Sequence, residues 1–64
     1  MVNNVSNFKD MVREAIDDEL QAVAQYATMA RMVESEVLRA ILLSIANDEA
    51  AHARTFMVIL ELDP

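Results

Sequence analysis

No glycine occurs in the 64 residues, and the only proline is the last one. A chain without either residue has few places suited to a sharp turn, and its Ala, Leu, Met, Glu and Arg favour helix. From Phe8 onward a pattern of alternating steps of four and three runs through Phe8, Val12, Ala15, Glu19, Ala22, Tyr26, Met29 and Val33. A second such run is Leu38, Leu42, Ile45, Glu49, His52, Phe56 and Ile59. This is the period of helices packed at a shallow angle. Flanking stripes (Met11, Ile16, Val23, Ala27 and Ala30; Leu43, Ala46, Ala50, Ala53, Met57 and Leu60) make both faces wider than a two-stranded coil needs.

The spacing predicts an all-α chain with one helix over about residues 8–33 and a second over about 36–62. Asn7 is the expected N-cap of the first, with Asp10 near its positive end and Met1 to Ser6 as a frayed arm. Ser35 is the expected cap of the second helix, with Glu34 and Glu36 beside it, and Asp63-Pro64 ends it. So short a connection makes the two helices an antiparallel hairpin. A single domain of this size buries only about 60% of its unfolded surface. With no Cys there is no disulfide to staple it, which leaves metal or oligomerisation as support.

Five basic residues against eleven acidic ones give a net charge of −6. That excludes a nucleic-acid partner, which needs clustered Lys and Arg, and suits either cation capture or plain solubility. The longest apolar runs, such as Ala40 to Leu43 and Phe56 to Leu60, fall far short of the ~20 residues of a membrane span. The start lacks the charged and apolar regions of a signal peptide, so the expected location is the cytoplasm.

Three ionisable residues interrupt the seams: Glu19, Glu49 and His52. Glu49 and His52 are three apart and share one helix face. With the turn near residue 34, Glu19 lies fifteen residues before it and Glu49 fifteen after, so both stand at one level of the hairpin. Carboxylates in an apolar layer cost several kcal/mol each unless compensated. Arg13, Arg31, Arg39 and Arg54 lie off the seam, whereas a metal satisfies the layer directly. Carboxylate oxygen with imidazole nitrogen suits iron, manganese or zinc. One chain offers too few ligands, but a two-fold axis doubles them to four Glu and two His. Di-iron carboxylate bundles use that set: one Glu from each of two helices and Glu-x-x-His from each of the other two. Ligand counting and core counting both call for a homodimeric four-helix bundle.

Glu19-Leu20-Gln21-Ala22-Val23-Ala24-Gln25-Tyr26, Leu38-Arg39-Ala40-Ile41-Leu42 and Asp48-Glu49-Ala50-Ala51-His52 together resemble the ferritin-like di-iron family. The resemblance runs from about Ala15 to Phe56 and is closest to encapsulated ferritins and rubrerythrin-type half domains. It implies a ferroxidase that oxidises Fe(II) at a centre of two irons bridging two subunits, in iron storage or detoxification. Glu19, Glu49 and His52 match the family's metal ligands, and Tyr26 matches a tyrosine beside the centre. Encapsulated ferritins further assemble as rings of dimers inside an encapsulating protein nanocompartment. The chain departs from the pattern at Gln25, where those proteins often carry Trp. Gln21 also replaces an acidic residue associated with the passage of metal, although Asp18 matches that residue's partner. No compartment-targeting tail follows the second helix in this sequence, so the expectation is either a trimmed chain or a protein that is not cargo, which bears on storage and leaves the metal centre untouched.

Two other functions fit the same residues. A rubrerythrin-like peroxidase would use peroxide as oxidant and, lacking Cys, would need another protein as electron donor. A metal-free helical dimerisation module would hold Glu49 and His52 as an ion pair. Asp17 and Asp18 read as solvated or as guides for cations, and the five Met residues as packing.

Overall fold

The computed structural model describes residues 4–63, with side chains from residue 7. Two helices account for nearly all of it: α1 over Asn4–Met32 and α2 over Glu36–Leu62. They pack antiparallel as a hairpin, and none among the described residues is long and apolar enough to cross a membrane.

Helix α1 starts earlier than the sequence predicts. Asn7 lies inside it rather than capping it, and Asn4 to Ser6 are helical rather than frayed. Met1 to Asn3 of the expected arm, and the terminal Pro64, lie outside the described residues. Asn3, Asn4, Ser6 and Asn7 are all residue types able to cap, so local chemistry does not choose among them.

The turn has two molecular causes. Ser35 is extended (φ −68°, ψ 122°) and its hydroxyl accepts from the Leu38 N–H, so it caps α2 as expected. Arg39 reaches back across the turn: Nε donates to the Ala30 carbonyl (3.2 Å) and an Nη to the Val33 carbonyl (2.7 Å). Ala30 lies in the last turn of α1 and Val33 just past it, where no further turn of helix supplies N–H donors to their carbonyls. One cation thus closes the first helix while its own backbone N–H bonds to the Ser35 carbonyl to open the second (3.0 Å).

Burial inside the hairpin is small. The buried apolar residues are Val12, Ile16, Ala30, Ala46 and Ala53, three of them alanines. Most belong to the flanking stripes, because these face the neighbouring helix within the chain. Of the seam, Val12 is buried too, whereas Phe8 is 46% exposed, Met29 40% and Leu38 51%. The Cα trace fills a slab of 52 × 20 × 9 Å, one helix thick. Domains are ordinarily built from two packed layers around one core, and this chain supplies one. Its accessible surface of 4893 Å² exceeds the roughly 4100 Å² of a compact monomer of its mass.

Ser35→Ala is expected to destabilise the fold by about 1 kcal/mol, seen as a fall of several degrees in Tm by circular dichroism. An unchanged Tm would show that Ser35 does not hold the start of α2.

Candidate metal centre

Glu19 comes from the middle of α1 and Glu49 and His52 from the middle of α2. The hairpin brings one ligand atom of each within 4.8 Å of the others. Two distances fix the imidazole: His52 Nδ1 lies 3.6 Å from Glu19 Oε2 and 3.8 Å from Glu49 Oε1. Both are too long for hydrogen bonds, and the same nitrogen faces both carboxylates. The side chains are unequally covered, Glu19 at 21% exposure, Glu49 at 26% and His52 at 58%. His52 is therefore the member of the layer most open to solvent.

Two observations say what the arrangement lacks. Glu19 Oε2 is removed from solvent yet accepts no hydrogen bond, an unfavourable state for a carboxylate oxygen. The Glu49 carboxyl is held above its ordinary value, chiefly through a hydrogen bond with Glu19. Burial and the charge of Glu19 add to this, the charge of Asp48 contributes, and His52 opposes it. When no cation is present, a second carboxylate beside it makes the Glu49 carboxyl hold its proton more tightly than it would alone. Among the described residues no Lys or Arg pairs with either one. Arg13 is spent on Asp10 (3.1 Å), and Arg39 on the turn.

A cavity of about 210 Å³ adjoins the layer, lined by Glu19, His52, Thr55 and Phe56. Phe56 is a seam residue in the sequence pattern. Thr55 escaped that pattern because it lies beside the seam and is polar. Its place three residues after His52 was the signal available, since that spacing stacks side chains one turn apart. Tyr26, two turns after Glu19 on α1, is half-buried and does not line the cavity.

The donor set fits a hard or borderline divalent or trivalent cation: two carboxylates, one of them with an orphaned oxygen, and one imidazole. Comparison with known proteins agrees with this chemistry. The Rubrerythrin family model matches residues 10–62. Over 56 residues the chain is 46% identical to a ferritin-like-encapsulin shell fusion protein of Pyrococcus furiosus. That alignment covers 86% of this chain and only 16% of the fusion protein. No solved structure matches. The helical hairpin, its carboxylate–imidazole layer and the family match over most of its length place the chain in the rubrerythrin family of ferritin-like proteins.

Proposed function

We propose that two copies of the chain pair through their open apolar faces and oxidise Fe(II) at a two-iron centre shared between them. The observation that carries this reading is the orphaned Glu19 Oε2, set against Glu49 and His52 within bonding reach of one cation. A two-fold axis through the layer supplies four Glu and two His, the inventory of the di-iron carboxylate bundles. Pairing also gives the slab the second layer it lacks and covers Phe8, Met29 and Leu38.

Each residue has a part in this reading. Glu19 and Glu49 bind through carboxylate oxygens, and their negative charge favours the higher oxidation state. His52 binds through Nδ1, the nitrogen that faces both carboxylates. Tyr26, two turns from Glu19 along α1, takes the place of the family's tyrosine near the centre, and the apolar seam residues above and below exclude water. A pair of irons supplies the redox chemistry when bound, two Fe(II) giving up two electrons to dioxygen or peroxide. Manganese and zinc fit the same donors and would occupy isolated protein.

The likeness to a protein fused to an encapsulin shell supports service in iron storage or detoxification within a protein compartment, with dimers gathered into a larger ring. The rubrerythrin match supports peroxide as the alternative oxidant.

Three outcomes are expected. Anaerobic loading with Fe(II) followed by air gives turnover in the parent and none in Glu49→Ala or His52→Ala. Equal oxidation rates in all three would end the ferroxidase reading, and faster turnover with H2O2 than with O2 would favour the peroxidase. Removing metal with a chelator lowers Tm and reduces the dimer measured by light scattering, since a ligand of the folded form stabilises it. A metal-free module would show no change, and in it Glu19→Leu would raise stability.

The pH dependence changes sign with metal. In the metal-free chain the raised Glu49 carboxyl binds a proton more tightly folded than unfolded. Its stabilising contribution is therefore full below the unfolded value near ~4.3 and is lost as pH rises through the raised folded value. Metal binding needs Glu19 and Glu49 ionised and His52 neutral, so metal-linked stability appears as pH rises and is lost as pH falls. Urea unfolding of parent minus Glu49→Gln, with and without metal across the acidic range, should give slopes of opposite sign. Slopes of one sign would contradict the metal assignment.

A further inference from the structure

His52 presents Nδ1, not Nε2, to Glu19 Oε2 (3.6 Å) and Glu49 Oε1 (3.8 Å). A nitrogen that lends its lone pair to a cation carries no proton, so the ring proton of a metal-bound His52 resides on Nε2. Metal-binding histidines almost always donate that second N–H to a fixed acceptor, which sets the ring plane and the tautomer. With 58% of its side chain exposed, His52 is not held in place by packing within its own chain.

Two residues on α2 stand one turn from His52 on its outward side: Asp48, four before it, and Thr55, three after. They differ in what the structure does with them. Thr55 shares a cavity wall with His52 and Glu19, and Asp48 does not. The Thr55 hydroxyl also donates its proton to the Ala51 carbonyl at 3.1 Å. A hydroxyl whose single proton is committed can only accept, through lone pairs whose direction that bond determines. The β-branched side chain, stiff about χ1 in a helix, adds to this fixity.

We propose that Thr55 is the positioning residue of the metal centre. Its Oγ1 accepts the Nε2–H of metal-bound His52, while the Ala51 carbonyl holds Oγ1 in place. The inference rests on the metal-centre reading and adds to it the group that orients the imidazole. It also makes the acceptor neutral. A carboxylate in that role would push more electron density onto the imidazole and add negative charge to a layer that already holds two acids. A hydroxyl fixes the ring without doing either.

The test uses the full chain loaded with Zn(II), a diamagnetic probe, in four forms: parent, Thr55→Ser, Thr55→Val and Asp48→Asn. Thr55→Val keeps the side-chain shape and removes the acceptor, and is expected to weaken Zn(II) binding about tenfold or more. Thr55→Ser restores the acceptor and the affinity. In ¹⁵N-edited spectra of the loaded protein, a solvent-protected Nε2 proton on His52 is expected in the parent and in Thr55→Ser. It should be lost in Thr55→Val, while the mass in solution and the zinc content at saturation stay unchanged. A change in packing alone would not remove that one proton signal and spare the stoichiometry. Parent-like affinity and a protected proton in Thr55→Val would overturn the proposal, as would loss of both in Asp48→Asn alone. These outcomes leave the metal centre standing. A parent that takes up no Zn(II) would instead sink the metal-centre reading, and the role of Thr55 with it.

Discussion

The constraint behind everything else is that acidic groups and an apolar surface share one face. Covering that face removes Phe8, Met29 and Leu38 from water, which favours closure. It also takes Glu19 and Glu49 further from water, next to each other and to their copies, which opposes closure. The sign of the balance depends on what occupies the layer. A proton on Glu49 would relieve part of the repulsion, and the Glu19 carboxylate beside it accordingly raises the Glu49 carboxyl above its ordinary value. With a cation, the repulsion becomes attraction, and the orphaned Glu19 oxygen gains a partner. Metal uptake and pairing are then linked in both directions: whatever strengthens one strengthens the other by the same free energy.

The hairpin, its turn and the three-residue layer were legible in the sequence because each rests on spacing. Two seams stepping by four and three, with Ser35 between them, leave little choice of architecture, and an equal count from the turn fixes the level of Glu19 and Glu49. Spacing does not say which side of a wide stripe meets which neighbour. Ile16, Ala30, Ala46 and Ala53, on the flanks, turn out to be the buried contact within the chain together with Val12 of the seam, while Phe8, Met29 and Leu38 of the seam remain open. Periodicity is blind here, since both sides of the stripe are apolar and only the hand of the hairpin separates them. The start of α1 was misplaced for a related reason: several residues able to cap stand in a row and nothing local ranks them. Thr55 stood out in the sequence only by its place three residues after His52, and its hydroxyl bonded to the Ala51 carbonyl and its side chain lining the cavity beside His52 are visible only in the structure.

The level of the layer along the hairpin matters as much as its chemistry. Helix α1 runs from Asn4 to Met32 and α2 from Glu36 to Leu62, so Glu19 and Glu49 each stand at or next to the midpoint of their helix. A two-fold axis passed through the midpoint lays one slab over the other along its full length. The same axis passed near an end would leave half of each apolar face uncovered, and ligands at that end would set complete coordination against complete burial. At the centre the two requirements coincide: the rotation that completes the ligand set is also the one that covers the most apolar surface. In the proposed dimer the central position of Glu19 and Glu49 therefore has a physical reason apart from the chemistry of iron, because such a half-bundle would close fully only about its own middle.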